Sequence, residues 1–417
     1  MDIMLVRDNA HTCYEKYFVA RQPIVSRLGT CWGYELLFRS PENKTQADFL
    51  DASFATSQVI VDGLPLALEN IPASCKVMIN TSADMIRARI PLVLPKERCV
   101  IEILESTLPS SDILRELSSL KSLGYTLALD DYAGQEYLRP FLDMVDIVKV
   151  DFRLVPSEEK RRELYLTVKS LKGNPRLVVA EKVESFEEQD FALKCGYDLF
   201  QGYFLSRPEL LESRKVPLRR ESRLQLVYAL SQDKLAASDL EKLISHDPVL
   251  FYRLLKFVNT ARVSTKAPVQ SAAEAIADMG VLQVRKWLAT CIIADEDSCK
   301  IEPVLALKGV TRAYFFRWLA GELHSLDSIS AFTFGLFSIL DDLYVLPFKE
   351  LSKDISLPPE VMKALCFNKG PLISWLRLVE ALECGERQIT KQLMDVGYEH
   401  PEVVLNEYQK AHMVAQY

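Results

Sequence analysis

Histidine is scarce in this chain, five in 417 residues, and the nine cysteines contain no Cys-x-x-Cys pair. A zinc ribbon and a disulfide framework are both excluded, and the thiols are expected to be reduced and mostly buried. Glycine (15) and proline (20) are few, which excludes collagen-like and low-complexity architectures. No apolar run reaches the roughly 18 to 20 residues that span a bilayer, and residues 1–17 have no apolar stretch of the signal-peptide kind. The expected location is the cytoplasm. A surplus of positive charge is also missing, with 50 Lys and Arg against 57 Asp and Glu for a net charge of −7, so nucleic acid is not an expected partner. Finally, no glycine-rich phosphate loop follows an early strand, which places an open doubly wound sheet behind a closed barrel.

What is present is an ordinary folded composition, 49% hydrophobic and 26% charged, in a chain too long for one core. From residue 16 to 208, short apolar or β-branched runs end in a polar residue and lead into helix-like stretches. The runs are Trp32–Glu35, Val77–Asn80, Val100–Glu102, Thr126–Asp130, Ile147–Asp151, Leu177–Glu181 and Leu199–Gln201. Most of their polar ends lie roughly 20 to 30 residues apart, one strand plus one helix per repeat, which predicts a (β/α)8 TIM-like barrel. Beyond Pro208 the apolar spacing becomes helical, as in Asp239–Ile244 and Val249–Val258. The fold class is therefore α/β plus all-α. An N-terminal extension is expected over 1–15, the barrel over 16–208, a solvated basic linker over 209–220 and a helical domain over 221–417.

In a parallel barrel the strand C-termini converge on one face. Glu35, Asn80, Glu102, Asp130, Asp131, Lys149, Asp151, Glu181, Glu184 and Gln201 should gather there. A lone acid at a strand end commonly caps the next helix; seven carboxylates at consecutive ends require cations instead. An all-oxygen set with one amide suits Mg²⁺ or Mn²⁺ rather than zinc. Two such ions can activate water for an in-line phosphoryl displacement, with Lys149 neutralising phosphate charge or orienting the water.

These motifs resemble the EAL family of cyclic di-GMP phosphodiesterases. The name motif is Glu35-Leu36-Leu37, followed by Arg39 at the family's nucleotide-phosphate arginine; Asn80 matches the metal-binding asparagine, and Glu102 and Glu105 the glutamate pair. Asp130 and Asp131, Lys149-Val-Asp151, Ala180 to Glu184, and Gln201-Gly-Tyr203 match the remaining motifs. The resemblance implies Glu35, Asn80, Glu102, Asp130, Asp131, Asp151 and Glu181 as metal ligands and Glu35, Lys149 and Glu184 as catalytic. It further implies Arg39 and Gln201 as substrate-binding, Glu105 as a support of the loop, two Mg²⁺ or Mn²⁺ ions, and the linear product pGpG. Two departures stand out. The family's Phe-Gly-Thr-Gly-Tyr-Ser-Ser loop reads Tyr132-Ala-Gly-Gln-Glu-Tyr137, and the glycine between the glutamates of Ala-Glu-Gly-Val-Glu is Lys182, whose ammonium could displace a metal ion.

Residues from 209 onward resemble the HDOD domain, on Leu240 to Leu250, Tyr252 to Asn259, Ala275 to Gly280 and Arg285 to Trp287. His246-Asp247 mimics a metal-binding dyad, but the domain's other histidines (324, 400, 412) have no partnered motifs, and Asp247-Pro248 reads as a helix start. Two readings stand. In one, the barrel binds cyclic di-GMP, with either slow hydrolysis or no turnover, with the helical domain as regulator or protein-interaction module and a homodimer as a further expectation. In the other, the barrel has lost its nucleotide chemistry and the chain is a scaffold that acts only through protein contacts.

Overall fold

The structure, a computed structural model, describes residues 14–39, 52–69, 71–171, 176–232, 235–261, 267–295, 303–323, 327–355, 357–383 and 400–415. Most of the expected N-terminal extension, and His324, lie outside these. All seven expected runs are strands: β2 (Cys31–Arg39), β3 (Lys76–Thr81), β4 (Cys99–Ile103), β5 (Thr126–Leu129), β6 (Ile147–Asp151), β7 (Leu177–Glu181) and β8 (Leu199–Phe200), each parallel to the next. The ring is closed by β1 (Glu15–Ser26), which the strand-end pattern did not reveal. β1 is antiparallel to both β2 and β8, so a hairpin replaces the first β/α unit and the eight-stranded barrel is not wholly parallel.

Side chains alternate along a strand, and that period builds the interior in layers. Ile24, Met78, Val100, Ala128, Ile147, Val179 and Leu199 form an apolar floor inside the ring. Two residues further along six of the strands stand Asn80, Glu102, Asp130, Lys149, Glu181 and Gln201. The same arithmetic that fills the floor therefore raises a polar layer directly above it.

Around the ring run α1 (Ala52–Gln58), a π-helical turn (Val59–Gly63), α2 (Leu64–Glu69), α3 (Ala83–Arg87), α4 (Ser111–Ser122), α5 (Arg139–Leu142), α6 (Glu158–Ser170) and α7 (Phe186–Cys195). Ser82, Ser157 and Ser185 cap α3, α6 and α7 by accepting from backbone N–H groups of the first turn. The helical domain begins with α8 (Arg220–Leu230), α9 (Ala237–Ser245), α10 (Pro248–Ala261), α11 (Ala272–Met279) and α12 (Val281–Ala294). It continues through α13 (Pro303–Leu323), α14 (Ser328–Phe337), α15 (Leu340–Tyr344), α16 (Phe348–Leu351), α17 (Pro359–Phe367), α18 (Pro371–Glu383) and α19 (Pro401–Ala415). Asp247 caps α10, its Oδ1 accepting from Val249 and Leu250 N–H at 3.0 and 3.1 Å while Oδ2 accepts from Ser222 at 2.6 Å. Phe315, Phe316, Phe334 and Phe337 are fully buried core. No helix among the described residues is long and apolar enough to cross a membrane.

Residues 209–220 are not the solvated linker expected from their charge. Glu209–Lys215 is a ninth strand, β9, antiparallel to β1 outside the ring. Val216 and Leu218 are fully buried. Lys215, itself buried, pairs with Asp295 at 3.4 Å and donates to the Ala294 carbonyl at 3.2 Å. Arg214 donates to the Tyr344 and Val345 carbonyls at 3.3 and 2.6 Å, so two cations of this segment serve the seam between the two domains.

At that seam α10 and α12 pack on α1, the π-helical turn and α2. Arg253 of α10 donates from Nη2 to both oxygens of Asp62, at 3.0 and 3.1 Å, and from Nη1 to Asp295 Oδ2 at 2.5 Å. All three side chains are buried. Removing one partner of a buried ionic set leaves charges without compensation. Arg253→Ala is therefore expected to lower the stability of the chain by about 3–5 kcal/mol in urea-induced unfolding. A loss below about 1 kcal/mol would mean that water reaches and solvates Asp62 and Asp295.

Candidate active site

The polar layer above the barrel floor centres on Lys149. Its side chain is fully buried, and its Nζ lies 3.1 Å from Glu35 Oε2, 2.5 Å from Glu102 Oε1, 2.8 Å from Asp130 Oδ1 and 3.3 Å from Glu181 Oε1. Burial alone would push this ammonium down, but Asp130, Glu102, Glu181 and Glu35 hold it well above the ordinary lysine value. Burial pushes the carboxyls of Glu102 and Glu181 well above the usual range, even against Lys149. On Asp130 burial acts in the same direction, yet Lys149 overrides it and the carboxyl lies low. Neighbouring acids with opposite shifts share one cation.

Glu35 is the best-oriented of these acids. Asn80 Nδ2 donates to its Oε1 at 3.0 Å and Gln201 Nε2 to its Oε2 at 2.7 Å. Gln201 also donates to Gln22 Oε1 at 3.2 Å. Gln22 was missed in the sequence because it lies on β1, the strand that the repeat pattern does not show. Asn80 is held from behind by Thr56 of α1, whose hydroxyl donates to the Asn80 carbonyl at 2.9 Å.

Above this layer stands a second cation. Lys182 Nζ donates to Asp131 Oδ1 and Oδ2 at 2.9 and 3.1 Å and also to Asp151 Oδ2. Burial opposes the Lys182 charge, but Glu181, Asp151 and Asp131 raise its pKa. Burial and the charge of Asp130 raise Asp131 despite Lys182. Asp151 does double duty: its Oδ1 accepts from the backbone N–H groups of Arg153 and Leu154, at 2.6 and 3.1 Å. Both Asp131 and Lys182 have left-handed backbones, φ 45° and 55°, a conformation that costs a non-glycine residue roughly 1–2 kcal/mol. The Lys182 loop packs closely on Gly202, where a Cβ would lie 2.1 Å from the Val183 carbonyl oxygen.

The loop 132–137 is knitted into the site in its own way. Gln135 accepts from Ala133 N–H at 2.8 Å and donates to the Asp131 carbonyl at 3.1 Å, and Tyr137 donates to the Glu105 carbonyl at 3.1 Å. Carboxylate oxygens of Glu105, Asp130 and Asp131 lie within 4.8 Å of one another. Arg39 lines a cavity of about 210 Å³ together with Asn80, and its Nη1 donates to the Phe38 carbonyl at 2.7 Å. Glu184 is the exception among the expected residues. It is exposed, paired with Arg153, and lies in the loop after β7 rather than on the strand, so it is not brought to the cluster.

The donor set fits hard divalent cations. Among the described residues, Asn80 Oδ1, Glu102 Oε2, Glu181 Oε2 and Gln201 Oε1 are buried without a hydrogen-bond donor, and six carboxylates face two ammonium groups. Oxygen acceptors lacking donors are what Mg²⁺ or Mn²⁺ coordinate.

The EAL domain family matches residues 63–208 and the HDOD domain family residues 216–351. The cyclic di-GMP phosphodiesterase CdgJ of Vibrio cholerae is 32% identical over 396 residues, 94% of this chain and 90% of that protein. The chain belongs to the EAL–HDOD family. The uncharacterized protein YuxH of Bacillus subtilis is 28% identical over 91% of this chain and 93% of its own. Among solved structures, an EAL domain protein from Listeria monocytogenes is 23% identical with a TM-score of 0.39, over 46% of this chain and 88% of that one.

The electrostatics of Lys149 can be tested directly. Lys149→Met strips the cation from four converging carboxylates, which then favour their protonated forms in the folded state. Folded pKa values raised in this way mean stability that is retained at acid pH and lost as pH rises above the ordinary carboxylate value of about 4.5. Relative to the parent chain, a deficit of about 3–5 kcal/mol is expected at pH 8, shrinking toward pH 5, in urea unfolding. A deficit independent of pH would refute the charge-clustering account.

Proposed function

We propose that the barrel mouth binds cyclic di-GMP and hydrolyses it slowly to pGpG, using Mg²⁺ or Mn²⁺ held by Glu35, Asn80, Glu102, Asp130, Asp131, Asp151 and Glu181. The observation that carries this reading is the set of buried, donor-less oxygens on the strand ends. The name of the full-length relative from Vibrio cholerae supports the choice of substrate. When bound, the two cations would activate a water and stabilise both oxygens of an in-line displacement at phosphorus. The chain's own residues set the stage. Asn80 and Gln201 fix both oxygens of Glu35, Lys149 holds Glu35 and Asp130 at one point, and Arg39 at the rim meets a phosphate oxygen. Glu184, held by Arg153, stays outside the chemistry.

Lys182 makes the turnover slow. Its ammonium sits between Asp131 and Asp151, two of the seven metal ligands proposed, and two unit charges at about 4 Å interact by about 4 kcal/mol at an effective dielectric of 20. That placement also favours a second reading, a scaffold that keeps the barrel without its catalysis. The helical domain has a role in either case. His246 contacts the Lys242 carbonyl and Tyr314, its neighbour Asp247 is spent as a helix cap, and the role proposed for the domain is regulation of the barrel or protein contact, including contact with a second copy of the chain.

The two readings part in one assay. Incubation with cyclic di-GMP and Mn²⁺, followed by chromatography, should yield pGpG slowly, and Glu35→Ala should abolish it. Calorimetric binding without any product would leave a nucleotide-binding barrel without turnover, and absence of both would remove the nucleotide and favour the scaffold. Lys182→Gly should tighten Mn²⁺ binding and raise turnover at least about tenfold, the equivalent of 1.4 kcal/mol, because glycine also accepts the left-handed backbone without strain. Unchanged Mn²⁺ affinity in that variant would show that the ammonium does not compete with metal.

A further inference from the structure

The helical domain holds a cleft of about 310 Å³ lined only by its own residues, from α9, α10, the start of α11, α13 and α14. That volume suits a small organic ligand. Phe251 and Phe332 give it an apolar wall, Tyr314 a hydroxyl, and Lys242 and Arg317 stand at its rim. Both cations are exposed, and neither side chain makes an ion pair or hydrogen bond among the described residues. Glu241 is the one carboxylate of the lining among the described residues, against Lys242 and Arg317, so that lining carries one net positive charge.

One further lining residue shows a need for a partner. A threonine inside a helix ordinarily satisfies its hydroxyl on the carbonyl four residues back, as Thr260 and Thr290 do here at 2.6 and 2.8 Å. Thr333 of α14 is only 1% exposed and its Oγ1 has no hydrogen-bond partner among the described residues. A buried hydroxyl left unpaired costs about 1–3 kcal/mol, and here it belongs to the wall of a cavity.

We propose that this cleft binds a small organic anion, with its carboxylate or phosphate against Arg317 and Lys242, its apolar body on Phe251 and Phe332, and a polar atom at Thr333. The ligand would rest on α10, the helix that carries Phe251 on the cleft side and Arg253 on the barrel side. The site is separate from the strand-end cluster and does not depend on its chemistry.

The full chain, free of divalent cations, is titrated calorimetrically with benzoate and with phenyl phosphate, which separate a carboxylate from a phosphate source. Inorganic phosphate and benzyl alcohol serve as the two halves. At least one aromatic anion should bind at a single site, with each half at least about tenfold weaker, a difference of 1.4 kcal/mol. Arg317→Ala should weaken the anion by a similar factor while leaving the melting temperature unchanged, since that guanidinium holds no other group. Thr333→Val, nearly isosteric, should weaken it severalfold. Absence of binding by both aromatic anions at about 10 mM, a limit near −2.7 kcal/mol, would overturn the assignment. So would equal affinity in Arg317→Ala, which would place the anion outside this cleft.

Discussion

Lys149 brings an ammonium group to the centre of the barrel mouth with no access to water, and four carboxylates from β2, β4, β5 and β7 converge on it. Neither side of this arrangement could be buried alone. An isolated ammonium would shed its proton, and four isolated carboxylates would keep theirs. Together they fix the inward face of half the ring, because each strand must hold its register for its acid to reach the one cation. The compensation is incomplete: Glu102 and Glu181 still lie well above the ordinary carboxylate range. Oxygens of both are buried without a hydrogen-bond donor among the described residues, which is where the proposed divalent cations would be held.

The second cation answers a different need. Lys182 reaches Asp131 and Asp151 from a loop, one-third exposed, with its backbone in the left-handed region. Strain of this kind persists where the surroundings over-determine it, and here Gly202 and the pairing of Val183 N–H with the Gln201 carbonyl at 3.0 Å hold the loop in place. Lys149 is built into the strands and cannot leave without disrupting the layer. Lys182 is attached only through a loop and an ion pair. The two lysines therefore differ in what a competing divalent cation would have to displace.

Much of this was legible in the sequence for a simple reason. A strand that contributes an apolar residue to the floor and a polar residue two positions later, as in Met78/Asn80, Val100/Glu102 and Val179/Glu181, announces both its direction and its site. β1 gave no such signal: its inward Ile24 lies near its C-terminal end, and its direction is opposite to its neighbours', so it reads as neither member of a β/α pair. β9 was hidden by its charges, because Arg214 and Lys215 look solvated until Asp295, some 80 positions away, is placed beside Lys215. Glu184 erred the other way. The match to a motif located it, but the loop geometry after β7 turned it outward to Arg153.

The buried charges Asp62, Arg253 and Asp295 do have a trace in the sequence: each interrupts or ends an apolar stretch, in Val59-Ile-Val-Asp-Gly63, Leu250-Phe-Tyr-Arg-Leu-Leu255 and Cys291-Ile-Ile-Ala-Asp295. Which charge meets which is not readable, since the partners are 42 and 191 positions apart. Their placement bears on where the chain divides. The EAL match ends at residue 208 and the HDOD match begins at 216, and the seven residues between them are β9, hydrogen-bonded to β1 along its length. A cut on either side of β9 would separate Arg253 from Asp62, uncovering a charge that the fold keeps dry. α1, which supports Asn80 through Thr56, continues through the π-helical turn that carries Asp62. The same run of helix thus backs the polar layer of the barrel and receives the guanidinium of the helical domain, which makes the two domains one structural unit at the place where the candidate site is supported.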